Sequence, residues 1–313
     1  MPKVSVVIPT YNRSKELINC IYSLTNQTLK DIEIIIIDDG STDNTESVIN
    51  NIKDKRIKYI KRTNHGIGSS RNCGIELSTG DYISFIDSDD YVDSTFLEKM
   101  YKKAVSDNLD LVVCDYYNFY KNGNKECVTI PTFKNTNIKD NKDLILTINY
   151  GPCNKLYKNT LIKNIRYKEN IKYEDMPFVL ECIKESKKIG KVNEPLNYFL
   201  MDNISETTTR DKKIFDIFKV LDIVKVIYNE EHYKDVVSSL IIKTLTNYTI
   251  QQRYQKDKNI RNKFIEEAFI YIKNFDINYN NNCYFKTRPI LKRIIEKNKS
   301  LTKLYCNLYN LIH

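Results

Sequence analysis

Through the first hundred residues, short apolar runs alternate with apolar stripes at helical spacing. Lys3-Val-Ser-Val-Val-Ile8 is a brief apolar run that stops at Pro9, which predicts a strand. Over 14–27 the apolar positions Leu17, Ile18, Ile21 and Leu24 form one stripe of a helix, with Ser14 as its N-cap. Glu33-Ile-Ile-Ile-Ile37 shows no alternation, as expected of a strand covered on both faces in a parallel sheet. Asp38-Asp39-Gly40-Ser41-Thr42-Asp43 then predicts a turn, with Ser41 or Asp43 able to cap a helix over 44–53. A strand over 56–61, a helix over 67–78, a strand over 82–86, a helix over 94–108 and a strand over 109–117 continue the series.

This βαβα order predicts an α/β fold: a doubly wound, Rossmann-like, mostly parallel sheet sandwiched by helices. Ligands on such sheets bind beyond the carboxyl ends of the strands. Pro9-Thr10-Tyr11-Asn12, Asp38-Asp39 and Asp87-Ser88-Asp89 all fall at such ends, so three polar clusters converge on one edge. Farther on, 120–150 reads as polar and irregular, 151–158 as strand or loop, 173–186 as a helix and 192–200 as one more strand. From about 211 the apolar spacing is helical, with Ile214, Ile217, Leu221 and Val224, then 236–250 and 260–275. The expected organisation is an α/β domain over 1–210 and a helical, basic C-terminal extension over 211–313.

Composition narrows the classes. With 41% hydrophobic residues among 313, the chain can bury a sizeable core, which argues against disorder. Eight cysteines are scattered without a CxxC pair or zinc spacing, the pattern of small core residues in a reducing compartment. The sequence enters a strand at once and contains no run of about 18 apolar residues. The expectation is a soluble, cytoplasmic protein. The net charge is +9, and most of the excess lies after residue 210. Such a tail suits an anionic surface or is simply a solvated face.

The strand-end acids carry the candidate chemistry. In an extended segment Asp87 and Asp89 share a face, a spacing that suits a hard divalent cation completed by phosphate and water. A solvated acidic turn is the alternative. Asp38-Asp39 can accept the imide N–H of a uracil or a ribose hydroxyl, or can serve as turn residues before Gly40. Gly66-x-Gly68-x-x-Arg71 has Arg at the third glycine position and follows the third strand, so it is not a dinucleotide loop. Arg71 offers a planar fork for phosphate or carboxylate, and an ion pair with a strand-end aspartate is compatible with that. Asp175, with Pro177 behind it, suits a helix start as a cap or as a general base for a hydroxyl.

Taken together, "VSVVIPTYNR" (4–13), "IIIIDDGSTD" (34–43), "GIGSSRNCGI" (66–75), "GDYISFIDSDD" (80–90), "NKLY" (154–157) and "YEDMPF" (173–178) resemble the inverting glycosyltransferases of family 2. The pieces stand in the family's order over about residues 1–200. The resemblance implies a GT-A fold, a nucleotide-diphosphate sugar donor, UDP-linked, and Mg2+ or Mn2+. It implies Thr10, Tyr11, Asp38, Asp39, Arg71, Asp87 and Ser88 as donor contacts. Asp89 would be the direct metal ligand with Asp87 beside it, and Asp175, rather than Glu174, the catalytic base. The acceptor would be a hydroxyl of a cell-surface glycan, a lipid-linked glycan or a polymer.

One feature departs from the processive members. Gln251-Gln252-Arg253-Tyr254 lacks the QxxRW spacing and its Trp, which favours single additions. "SETTTR" (205–210) resembles a loop that folds over the donor in some members. The basic stretch 286–303 could rest on anionic membrane in peripheral contact, pack on the catalytic domain or join copies in a homo-oligomer. No nucleic acid partner is expected. The competing readings are a sugar-phosphate nucleotidyltransferase, which would need a Gly-rich loop after the first strand, and a non-catalytic glycan- or nucleotide-binding module.

Overall fold

A computed structural model describes residues 1–201, 212–274 and 298–312. By its contacts the chain separates into two compact units, Met1–Ser205 and Glu206–His313. The first unit is built on one nine-stranded sheet. Its strands are β1 (Val4–Thr10), β2 (Ile32–Asp38), β3 (Ile57–Lys61), β4 (Tyr82–Phe85), β5 (Tyr91–Val92), β6 (Leu111–Phe119), β7 (Lys125–Val128), β8 (Lys155–Lys158) and β9 (Ile189–Leu200). The order is β3-β2-β1-β4-β8-β6-β9-β5, with β7 also pairing β6. β1, β2, β3 and β4 are mutually parallel, as are β6 and β9, while β8, β7 and β5 pair antiparallel.

Helices α1 (Ser14–Thr25), α2 (Thr45–Asn50) and α3 (Ile67–Leu77) make the crossovers, and α4 (Phe96–Ser106) leads into β6. Alternate residues of β1 and β2 explain the unbroken apolar runs. Val4, Val6, Ile8, Ile32, Ile34 and Ile36 pack with Leu17, Cys20, Ile21 and Leu24 of α1 and with Phe96, Leu97 and Met100 of α4. Val7, Ile35 and Ile37 are equally buried on the opposite face, since successive side chains of a strand point apart. There α3 lies so close to β1 that a Cβ on Gly74 would meet a Val7 methyl at 2.1 Å. Beside it Phe85, Tyr157, Tyr167 and Phe178 form an aromatic cluster, with Tyr167 and Phe178 stacked at 3.8 Å.

The expected elements from 1 to 119 are present within a few residues of their bounds, and β9 starts at Ile189 rather than Val192. Three expectations need correction. Ser14 is the first residue of α1 and not its cap; the free Ser14 amide donates to Asp43 Oδ2 of the neighbouring loop at 3.1 Å. β5 was not expected, because two residues leave no pattern to read. The stretch 120–150 is not wholly irregular: it contains β7 and the short α5 (Leu144–Thr147). Then come α6 (Asn159–Ile162) and α7 (Asp175–Glu185), which completes the first unit's helices among the described residues.

The second unit contains α8 (Asp216–Ile227), α9 (Lys234–Gln251), α10 (Lys258–Asn274) and α11 (Lys299–Ile312). Ile217, Leu221, Leu240, Leu245, Phe264 and Ile265 are fully buried in it. The "SETTTR" segment and residues 286–297 of the basic stretch lie outside the described residues. Lys303 of that stretch pairs with Glu266 of α10. Among the described residues no helix is long and apolar enough to cross a membrane.

The Gly74 contact makes a prediction. Gly74→Ala should lose about 1–3 kcal/mol of stability in urea unfolding, because the core must shift to admit the methyl. Adding Val7→Ala removes the obstructing methyls, so the double variant should be less destabilised than the sum of the two single changes. Simple additivity would show that the α3–β1 approach is not the constraint.

Candidate active site

β1 is the point where the strand order reverses, with β2 and β3 to one side and β4 to the other. Register sets Thr10 against Asp38 and Val7 against Phe85, so the carboxyl ends of β1, β2 and β4 open on one edge. The loops there are tied together. Asn12, at φ 51°, accepts from the Thr42 amide at 2.8 Å through Oδ1, and its own amide donates to Ser41 Oγ at 2.9 Å. Tyr11 is 49% exposed at the mouth, whereas Thr10 is buried and its hydroxyl has no hydrogen-bond partner.

The two aspartates after β2 are walls of this edge. Asp38 is fully buried; it accepts from the Ser41 amide at 2.8 Å and from the Tyr59 hydroxyl at 2.6 Å. Asp39 accepts from Arg62 Nε at 3.0 Å, from the His65 amide at 3.1 Å and from the Gly66 amide at 2.7 Å. Asp39 thereby pins the turn into α3, where Gly66 takes φ 88°, a value that favours glycine.

The acidic segment after β4 is not extended. The Asp90 amide donates to the Asp87 carbonyl at 3.0 Å, which closes a turn over 87–90. The premise that Asp87 and Asp89 share a strand face therefore fails. The turn instead brings together Asp87 and Asp90, whose carboxylate oxygens and the Cys153 thiol lie within 4.8 Å of one another. The Asp89 side chain, 20% exposed, stands 3.9 Å from Arg13. Ser88 is buried at the crest of the turn.

Behind the turn sits Arg71 of α3, 1% exposed. Its Nη2 donates to Asp87 Oδ1 at 2.9 Å; its Nη1 donates to Glu174 Oε1 at 2.8 Å and to Asp175 Oδ1 at 2.5 Å. The guanidinium also lies 5.2 Å from the Tyr167 ring centre. Its terminal nitrogens are occupied by carboxylates, so the geometry speaks for an internal clamp and not for an open fork waiting for phosphate. Asp175 starts α7, yet its carboxylate turns to Arg71 and not to the free amides of the first turn. Tyr173 just before it holds φ 68°, an uncommon state for a bulky residue, which swings Glu174 and Asp175 toward the clamp.

Charge is unbalanced here. Asp87, Glu174 and Asp175 share one guanidinium. Burial, opposed by Arg71 and reinforced by Glu174 and Asp87, raises the Asp175 carboxyl well above the usual range. Burial and the charges of Asp87 and Asp89 do the same to Asp90. Such a set fits a divalent cation: Asp87 and Asp90 offer hard oxygen donors close together, and their crowded negative charge is what a cation would relieve. Nearby, burial pulls Lys155 of β8 down to about 7, its ammonium donating to the Gly151 carbonyl at 2.6 Å and to Asn154 Oδ1 at 2.7 Å.

Residues 5–166 match the family model described as Glycosyl transferase family 2. The chain belongs to that family. A glycosyltransferase of Haemophilus influenzae described as uncharacterized is 36% identical over 219 residues, 64% of this chain and 84% of that protein. The GalNAc(5)-diNAcBac-PP-undecaprenol beta-1,3-glucosyltransferase of Campylobacter jejuni is 30% identical over 236 residues, 74% of this chain and 75% of that protein. Other relatives are longer: this glycosyltransferase spans 63% of the uncharacterized EpsJ of Bacillus subtilis, at 30% identity over 66% of its own length. Among solved structures, S. aureus TarS 1–349 in complex with UDP-GlcNAc superposes with a TM-score of 0.77 at 19% identity, covering 99% of this chain and 92% of that one. The fold of this glycosyltransferase is thus the GT-A fold.

Several residues of the edge escaped the sequence reading. Tyr59 and Arg62 hold Asp38 and Asp39, and the only signal in the chain is that one lies within β3 and the other just past it, beside β2. Asp90 and Cys153 could be recognised only once the turn and β8 were placed.

Two outcomes follow from this electrostatic arrangement. Arg71→Met, which removes the guanidinium that Asp87, Glu174 and Asp175 share, should cost about 3–5 kcal/mol in thermal or urea unfolding. Arg71→Lys should recover only part, since an ammonium cannot reproduce the fork. For Asp90 the folded pKa is raised, so its contribution to stability is fully present below the unfolded value and is lost as pH rises through the folded one. Asp90→Asn should therefore stabilise the cation-free protein at pH 7–8, with the gain vanishing near pH 4. Equal melting temperatures of variant and parent at both pH values would contradict this.

Proposed function

We propose that this glycosyltransferase is a metal-dependent, inverting hexosyltransferase. It moves a sugar from a UDP-linked donor to a hydroxyl of a cell-surface, lipid-linked or polymer glycan. The observation that carries the reading is the clamp: one guanidinium holds Asp175 and Asp87, the base candidate and the donor-edge carboxylate. The orphaned Thr10 hydroxyl at the same edge supports a polar ligand there, because buried polar atoms rarely go without a partner. The UDP-GlcNAc complex of TarS and the undecaprenol-linked acceptor in the name of the Campylobacter relative support the donor and acceptor classes.

In this reading Thr10, Tyr11 and Asp39 border the nucleotide, with Asp38 and Ser88 shaping the walls. Asp89, with Asp87 beside it, would hold Mg2+ or Mn2+, whose charge offsets that of the departing diphosphate. Asp175 takes the proton from the acceptor hydroxyl, aligned opposite the sugar–phosphate bond, and one displacement inverts the anomeric carbon. Burial first, then Glu174 and Asp87, raise the pKa of Asp175, which makes its carboxylate a stronger proton acceptor. Arg71 acts from behind, fixing the distance between base and donor edge. Residues 1–210 carry the transfer, and 211–313 form the accessory helical unit. A lipid-linked acceptor would place the enzyme at the cytoplasmic face of the membrane, in peripheral contact.

The test begins with a screen of nucleotide sugars for slow donor hydrolysis, with and without Mn2+. With the donor found, Asp175→Asn should lower kcat by roughly 10²–10⁴-fold while leaving donor affinity nearly unchanged. The parent's kcat/KM should fall as pH drops through the Asp175 pKa. Asp89→Ala should weaken UDP binding in calorimetry when Mn2+ is present. Retained turnover in Asp175→Asn would remove it as the base, and UDP binding indifferent to Mn2+ and to Asp89 would remove the metal assignment.

A further inference from the structure

Cys153 lies in the segment that leads into β8, fully buried and in no disulfide. It is aimed at the acidic turn. Its Sγ and carboxylate oxygens of Asp87 and Asp90 form a triangle no wider than 4.8 Å on any side. The centre of such a triangle is at most about 2.8 Å from each donor, so shifts of about 0.5–0.8 Å reach ordinary Zn–S and Zn–O lengths. All three donors are held in place beforehand. Arg71 fixes Asp87 through one oxygen at 2.9 Å, and the Leu200 amide fixes Asp90 Oδ1 at 3.0 Å. Cys153 is anchored by the neighbouring Asn154, which donates to the Cys114 carbonyl at 2.6 Å.

A donor set of two carboxylates and a thiol differs in kind from the all-oxygen set of the acidic turn. Mg2+ takes oxygen ligands, whereas a thiolate selects for zinc-like and softer ions. We propose that Asp87, Asp90 and Cys153 form a binding site for a thiophilic divalent cation of the Zn2+ class. The site needs no sugar donor and goes beyond the transfer reaction. The thiol proton leaves to solvent as the ion enters, and a fourth position stays open for water.

The experiment uses the full chain with Cys73 and Cys127, which are outside this group, and Cys283 all replaced by Ser. Titration with Cd2+ alone should produce an ultraviolet thiolate-to-Cd2+ charge-transfer band that saturates at one equivalent. Cys153→Ser and Cys153→Ala should lose the band while keeping the parent's circular dichroism. Asp90→Asn should keep the band but bind Cd2+ about 10–100-fold more weakly, at least the loss typical of an outer-shell partner. A band that persists in both Cys153 variants, or no band in the parent, overturns the proposal. Unchanged affinity in Asp90→Asn overturns it even where the Cys153 variants fail to fold.

Discussion

The guanidinium of Arg71 is the interaction on which the site depends. It joins carboxylates that stand 16, 103 and 104 residues away along the chain. A cation buried to 1% exposure is tolerable only with partners, and carboxylates crowded at a strand end are tolerable only with a cation. Each requirement meets the other. The result fixes α3, the turn after β4 and the start of α7 to one another. Packing reinforces it, since Tyr167 stacks on Phe178 and lies under the guanidinium.

Around this clamp the edge is prearranged. Asp38 and Asp39 use their oxygens on Ser41, Tyr59, Arg62, His65 and Gly66, so the loops after β2 and β3 cannot drift. Asn12 ties the β1 loop to the β2 loop. Among the polar groups left without a partner here are the Thr10 hydroxyl and Arg71 Nε. Rigid walls with a few unmet polar groups are what a binding site needs, because ordering is completed on folding and not at each encounter.

Local pattern carried most of the first unit. Period-2 burial on both faces, read from unbroken Ile and Val runs, belongs to a strand whichever partners it finds. Amphipathic stripes such as Leu17, Ile21 and Leu24 likewise declare a helix and its inner face. Which clusters share an edge also followed, since the βαβ hand leaves few topologies. β5 and β7 were invisible because two to four residues bordering a turn have no periodicity to detect.

Side-chain direction was another matter. Asp87, Asp89 and Asp90 were plain in the sequence, but their pairing turned on one hydrogen bond from the Asp90 amide to the Asp87 carbonyl. The sequence offers Arg71 as a fork with two uses; only the arrival of α7 decides that carboxylates fill it. Residue order thus determined the sheet, its ligand edge and the chemical types gathered there, because those depend on spacing along the backbone. The tertiary structure alone decided who neutralises whom, because ion pairing across a hundred residues is a property of packed space and leaves no period in the chain.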